Sequence, residues 1–300
     1  MRLPPVGTRV SLRYRLPAGS RPPLSDVVGV LEATAPEIRV TTRTGAVVRV
    51  SPRDVVAVRA LTAVPVRTAQ IRAVEHAAAL AWPGTEQQWL DGWLLRAAGG
   101  HTHRANSAVP LAPGAAPAAL PRIAAWYAER GLPAWLAVPD RLLRLPDGPA
   151  PAFESLVMVG PAAAAEPDPA VTLAPEPDAA WLELYRRPVP VPVLTAVCDG
   201  AVVFASIPGA AVGRAAVTTA PDGRRFVGIA AVRVAEDQRR RGHARRLCAA
   251  LLAWGAARGA GEAYLQVEPD NTAARALYAG LGFVVQHTES YLRVPPAGGP

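Results

Sequence analysis

Five arginines and one glycine fall within ten residues in the segment QRRRGHARRL (238–247). The segment follows an apolar run, FVGIAAVRV (226–234), and precedes residues whose apolar positions repeat at helical spacing. The start of a helix has unpaired N–H groups and the positive end of the helix dipole, and Gly242 lets the backbone approach a diphosphate without a Cβ in the way. The arginines add charge-assisted hydrogen-bond donors. This setting predicts an anion site, with a solvated basic helix start as the alternative.

Strands and helices on both sides of this segment must hold it in place. Four apolar strand runs lie between residues 191 and 234, and the helix after the arginines is predicted from about Gly242 to Arg258. A strand at 263–267, a helix at 271–282 and two short strands around 283–285 and 290–294 follow. This order predicts an α/β fold with a mixed sheet.

Two motifs in this half of the chain resemble those of the GNAT superfamily of acyl-CoA N-acyltransferases. The first has the pattern R-x-x-G-x-A, carried by Arg239, Gly242 and Ala244. The second has the pattern L-x-V…N-x-x-A-x-x-L-Y-x-x-x-G-F, carried by Leu265, Val267, Asn271, Ala274, Leu277, Tyr278, Gly282 and Phe283. The resemblance covers residues 170–294 and implies a GNAT fold of the α/β (α+β) class, with a mixed, mostly antiparallel sheet flanked by helices.

The resemblance also implies an activity and a site. The expected reaction is N-acetyl transfer from acetyl-CoA, a co-substrate, to a primary amine by direct attack in a ternary complex. Tyr278 is expected to be the general acid that protonates the leaving thiolate, with a core tyrosine as the alternative. The residues expected to bind acetyl-CoA are Val232, Arg233, Val234, Arg239, Arg240, Arg241, Gly242, His243, Ala244, Arg245 and Asn271.

The general base is not evident from the motifs. The fold often carries a glutamate on the strand before the arginine loop, but this sequence has Val227, Gly228, Ile229 and Ala230 there. Glu268 follows the second motif strand and could act through a water, or it could be a surface or capping carboxylate.

The residues before the motifs predict two further domains. Short alternating runs in 1–62 predict a small all-β barrel of SH3-like type, either a binding domain or an inert cap. Residues 66–165 have a helix–strands–helix–strand order that resembles a degenerate GNAT half. The catalytic domain, which carries both motifs, is expected at 168–296. The middle segment lacks the arginine–glycine loop and is expected to contribute the acceptor side of the site through Trp93, Arg96, Arg104 and Asn106.

Composition restricts the other properties of the chain. The net charge is +8 and all 32 basic residues are arginine, a bias that GC-rich coding explains, so nucleic-acid binding is not expected. Neither a membrane span nor a signal peptide is evident, which predicts a cytoplasmic protein. The two cysteines have no metal-ligand spacing, so no metal is expected.

The predicted partners are acetyl-CoA and an amine, which could belong to a small molecule, a peptide or a protein lysine, and the chain could be a monomer or a dimer. The alternative function is a GNAT-like module that binds acyl-CoA and regulates a protein or nucleic acid without turnover.

Overall fold

A computed structural model describes residues 3–4, 6–42, 44–60, 66–145 and 150–295. The chain divides into two units, residues 1–66 and residues 67–300. The predicted domain ends at 62 and 296 lie outside the described residues, so the structure says nothing of them.

The first unit is an antiparallel sheet of five strands. Their bounds are β1 Arg9–Arg15, β2 Leu24–Ala33, β3 Ile38–Thr42, β4 Val47–Val50 and β5 Val55–Ala60. The strand order is β4-β3-β2-β1-β5. Alternate residues of a strand point to opposite faces, so Val10 and Leu12 of β1 and Val27 and Leu31 of β2 are buried in one core. The prediction of a small all-β unit is confirmed.

The second unit contains the remaining strands and the helices. Its strands are β6 Glu86–Leu90, β7 Trp93–Ala97, β8 Val109–Pro110, β9 Trp135–Pro139, β10 Phe153–Pro161, β11 Thr172–Ala174, β12 Ala201–Ile207, β13 Ala211–Thr219, β14 Arg225–Val234, β15 Glu262–Val267 and β16 Val284–Arg293. Its helices are α1 Thr68–Ala81, α2 Leu120–Ala128, α3 Ala179–Tyr185, α4 Val191–Thr195, α5 His243–Ala256 and α6 Thr272–Ala279. Two short final strands were predicted, but 284–293 forms the single strand β16.

Eight strands of this unit form one sheet in the order β11-β12-β13-β14-β15-β10-β16-β9. In the described chain, its only parallel pair is β14 with β15. The prediction of a mixed, mostly antiparallel sheet is therefore confirmed. The strands β6, β7 and β8 form a separate small sheet.

Helices cover both faces of the large sheet. Leu247 and Leu251 of α5 pack with Val227 and Ile229 of β14 in one apolar cluster. The α1 helix packs against the other face, where Thr218 Oγ1 donates to the Ala77 carbonyl at 2.8 Å. Successive strand residues alternate between the faces, so a single strand contributes to both clusters.

The middle segment is part of the same sheet as the motif-bearing segment. Strand β10 lies between β15 and β16 and pairs with both, from Leu156 opposite Val267 and from Phe153 opposite Tyr291. Residues 67–300 accordingly form one unit by their contacts. The resemblance of 66–165 to a GNAT half remains a prediction.

Candidate active site

The parallel strands β14 and β15 separate partway along their length. Their pairing runs from Phe226 opposite Glu262 to Ile229 opposite Leu265, and β14 then continues for five residues to Val234. At this point β14 contains one residue more than β13 does, and Ala231 adopts a left-handed conformation with φ 55°. A β-bulge bends the strand that carries it. The bulge at Ala231 therefore accompanies the opening of a cleft between β14 and β15.

The start of α5 has the features of an anion cradle. Gly242 is the N-cap residue with φ 84°, and no side chain caps the helix. The first N–H groups of a helix lack intrahelical partners, so here they are free to bind a ligand. Arg239, Arg240 and Arg241 are exposed, and the described residues give them no ion-pair partner.

The two arginines further along α5 are engaged with the protein itself. Arg246 makes two 2.6 Å hydrogen bonds to the Asp168 carboxylate, which holds the pKa of Asp168 down at about 2. Arg245 donates to the Gly280 carbonyl at 3.0 Å. The side chain of Arg245 is therefore tied to the end of α6, although its N–H group stays at the open helix start.

The cleft opens into a cavity of about 380 Å³. Its walls include six predicted site residues: Arg104, Val232, Arg233, Glu268, Asn271 and Tyr278. A neighbouring cavity of about 170 Å³ lies beside the end of α3 and is lined by Arg233 and Val234. Of these two residues, only Arg233 also lines the large cavity. The structure thus brings together the end of β14, the start of α6 and the loop before β8, which are distant in sequence.

Tyr278 lies on α6 at the edge of the apolar core, 8% exposed, and its ring is 6.1 Å from that of Phe283. Burial raises the pKa of its hydroxyl above the ordinary value for tyrosine. The phenol therefore stays protonated at neutral pH, as a proton donor must.

Two predicted residues lie at the mouth of the cavity. The Asn271 side chain accepts a 3.1 Å hydrogen bond from the Ala274 N–H and so caps α6. Glu268 is exposed. These observations fit a capping role for Asn271 and give Glu268 no feature of a base.

Three residues predicted for the acceptor side are buried and do not line the large cavity. Trp93 is fully buried among apolar side chains, lines neither of the cavities described above and donates from Nε1 to the Ala116 carbonyl. Asn106 is buried and makes four hydrogen bonds to backbone groups of residues 98–102. Arg96 is also buried and donates to Trp82 and Ser107.

A second, smaller cavity adjoins the large one, and three of its polar residues, Glu75, Gln266 and Glu289, were not predicted from the sequence. This inner cavity has a volume of about 20 Å³ and is lined by Glu75, Glu289, Gln266 and Arg96, among others. The sequence held a signal for it: His287, Glu289 and Tyr291 alternate along β16, so they share one face, and charged groups at inward positions of a strand are unusual.

The described residues contain no group of three His, Cys, Asp or Glu side chains placed to hold a metal ion. In the same part of the chain, no helix combines the length and the apolar character needed to cross a membrane.

The open parallel pair, the uncapped arginine–glycine helix start and the sheet order define a GNAT-type fold. Solved structures agree with it: a GCN5-related N-acetyltransferase from Kribbella flavida (18% identity, TM-score 0.53) covers 80% of this chain and 98% of its own. A protein from Novosphingobium aromaticivorans described as a GNAT-family acetyltransferase (21% identity, TM-score 0.54) covers 75% and 99%.

Residues 68–292 match the family model "Probable histone acetyltransferase Rv0428c C-terminal". The chain is also 53% identical over 296 residues to "Probable histone acetyltransferase Rv0428c" of Mycobacterium tuberculosis, covering 98% of this chain and 97% of that protein. The chain belongs to this family, and it is an acyltransferase.

Residues 4–59 match the model of the Rv0428c N-terminal Sm-like domain. The SH3-like type predicted for this unit is therefore not confirmed, while a small β domain is.

Proposed function

We propose that this chain transfers the acetyl group of acetyl-CoA to a lysine amine of a basic protein, such as a histone. The observation that carries the proposal is the cleft between β14 and β15, which opens into a cavity lined by Tyr278. The anion cradle at the start of α5 supports it. The acceptor class is suggested by the name of the relative that is 53% identical over almost the whole chain.

The cradle residues fit the phosphate end of coenzyme A. The free N–H groups from Gly242 to Arg245 and the exposed guanidinium groups of Arg239 to Arg241 would bind the diphosphate. Past Ile229, the backbone of β14 is no longer paired with β15, so the amide groups that do not bond to β13 are available to the pantetheine amides and to an oxyanion. We place the contacts of Val232 and Val234 here.

The acceptor would enter from the aromatic side of the large cavity. His103, Phe153 and Tyr291 lie there in mutual ring contact, with centroids 4.6–5.9 Å apart. An aromatic wall suits the aliphatic stem of a lysine. The amine would attack the thioester directly, and Tyr278 would protonate the departing thiolate.

We expect the purified protein to acetylate core histones with acetyl-CoA. The measurement is the release of coenzyme A thiol, together with mass spectrometry of the histones. Histones whose lysine amines have been chemically acetylated beforehand are the control and should support only background release. Equal release with both histone samples, or with none, would contradict the lysine assignment.

A protein that begins at Val66 is expected to fold and to bind acetyl-CoA within about twofold of the full chain, because the two units have separate cores and every cradle residue lies in the second. Calorimetric titration with acetyl-CoA measures this. If the shortened protein binds acetyl-CoA but no longer acetylates histones, the N-terminal unit recruits the acceptor. Insolubility of the shortened protein would show that the second unit depends on the first.

A further inference from the structure

The inner cavity holds a carboxyl group to which the reaction described so far gives no role. Glu289 of β16 is 2% exposed and lines this cavity together with Gln266 of β15. Gln266 donates from Nε2 to Glu289 Oε2 at 2.8 Å. Tyr291, two residues along the same strand as Glu289, also lines the inner cavity. Glu289 is thus held at one fixed position behind the acceptor side.

The inner and large cavities share part of their walls. Both are lined by Arg104, Gln266 and Tyr291, and by Ile229 and Ala230 at the point where β14 leaves β15. Arg104 donates from Nε to Gln266 Oε1, which fixes the amide orientation that presents Nε2 to Glu289. The inner cavity therefore lies directly behind the place where an acceptor amine would meet a thioester.

The inner cavity has room for one water. Its volume of about 20 Å³ exceeds the roughly 10–15 Å³ that a single water requires. Its walls offer several polar partners, from Glu75, Arg96 and Glu289, and an ordered water needs two to four of them. A water at this position would connect the Glu289 carboxylate to the large cavity.

Resting on the proposed function, we propose that Glu289 is the residue that removes the proton of the acceptor amine, acting through one water in the inner cavity. The ammonium N–H bond breaks as the water accepts that proton, and the water passes one of its own to Glu289 Oε. The neutral amine then attacks the thioester carbon, the C–S bond breaks and Tyr278 protonates the departing thiolate. The nitrogen loses its second proton, which restores the Tyr278 hydroxyl. Glu289 returns its proton to solvent before the next turnover. Because Glu289 acts through a water and does not touch substrate, it is a positioning residue for proton transfer.

The groups around Glu289 suit this task. Burial and, after it, the Glu75 carboxylate of α1 raise the pKa of Glu289 to about 8, while Arg96 of β7 and Arg104 oppose the rise. Glu75 is itself engaged with His287, 2.7 Å from Oε1 to Nε2. A base with a pKa near the working pH transfers protons most effectively.

The test is the pH dependence of kcat/KM with acetyl-CoA and a lysine-containing histone-tail peptide. Wild type should lose activity as pH falls through about 8, because the carboxylate becomes protonated. Glu289→Gln should lower kcat/KM by ~10² to 10⁴ at pH 8 and replace the limb near pH 8 with one that follows ionisation of the lysine amine, at about pH 10. The same peptide carrying a hydrazide acceptor, which is already neutral at pH 7, should be acetylated by the variant at nearly the wild-type rate.

The Glu75→Gln variant tests whether the acidic limb belongs to Glu289 or to Glu75. Removal of the Glu75 charge should lower the pKa of Glu289, so the acidic limb should persist and move to lower pH. If the acidic limb near pH 8 were lost in Glu75→Gln but kept in Glu289→Gln, the assignment to Glu289 would be overturned. So would an equal loss of rate in Glu289→Gln with both acceptors, since that is the mark of a structural defect.

Failure of the proposed function itself gives a different result. If wild type released no coenzyme A with either peptide, acetyl transfer to amines would be wrong, and the role of Glu289 with it. If wild type turned over and Glu289→Gln matched it in rate and pH profile, only the role of Glu289 would be wrong.

Discussion

Replacement of Tyr278 by phenylalanine is expected to lower kcat by ~10-fold or more, toward the ~10² to 10⁴ that a positioned general acid contributes. The ring would remain against Phe283, so packing and the affinity for acetyl-CoA should persist. The loss should be smallest if water replaces the phenol as the acid, because a thiolate is a modest base. Steady-state release of coenzyme A thiol, with KM for acetyl-CoA measured alongside, separates the two effects.

Tyr185→Phe is the matched control for this experiment. Tyr185 lines the same cavity and is 6% exposed, against 8% for Tyr278, so each change removes one buried hydroxyl from a residue of that cavity. We expect Tyr185→Phe to retain kcat within about threefold, since its hydroxyl has no step assigned to it. Wild-type turnover by Tyr278→Phe from pH 7 to pH 9 would make Tyr278 a core residue only.

Gly242→Val is expected to weaken acetyl-CoA binding by at least ~10-fold, which corresponds to about 1.4 kcal/mol. Two causes act together. Gly242 has φ 84°, a conformation that a β-branched residue avoids, and its side chain would lie where a diphosphate meets the N–H groups of α5. A Cβ at Gly242 meets no protein atom within 4 Å, so any clash must be with the ligand. Isothermal calorimetry measures the affinity.

The Gly223→Val variant is the control that distinguishes the effect of backbone strain from the loss of the anion cradle. Gly223 lies in the turn before β14, at φ 83°, and a Cβ there also meets nothing within 4 Å. Each valine should reduce the free energy of unfolding by about 1–3 kcal/mol, while only Gly242→Val loses acetyl-CoA affinity. Equal affinity in Gly242→Val and wild type would show that the cradle lies elsewhere.

Most local parts of the fold could be predicted from the sequence, although the first of the four strand runs predicted between 191 and 234 is wrong, because it forms the helix α4 Val191–Thr195. The α5 helix was expected from about Gly242 and begins at His243, because an αL glycine followed by an amphipathic repeat is a property of neighbouring residues. The mixed sheet was also expected, since apolar runs alternate with helices in this half of the chain.

The order of strands in the sheet could not be predicted in the same way. Strand β10 lies between β15 and β16, although 100 residues or more separate it from either one. Nothing in FESLVMVG (153–160) specifies those partners, because pairing depends on which edges are left open once the other strands have assembled.

The acceptor side differs from its prediction for a related reason. Trp93, Arg96 and Asn106 carry aromatic, cationic and amide groups of the kind that bind ligands, yet the same groups satisfy buried backbone carbonyls and N–H groups in this core. Only the hydrogen bonds in the folded chain distinguish the two uses. Arg104, predicted with them, does line the large cavity.

The sequence by itself determined the features that depend on neighbours along the chain: the arginine–glycine start of α5 and the helix that carries Tyr278. The tertiary structure alone decided the opening of β14 away from β15 and the place of Glu289 behind it. A helix start has its N–H groups wherever the helix is placed. A carboxyl group acquires a pKa near 8 only when strands and a helix from distant parts of the chain remove it from water, and that burial is not written in any single segment.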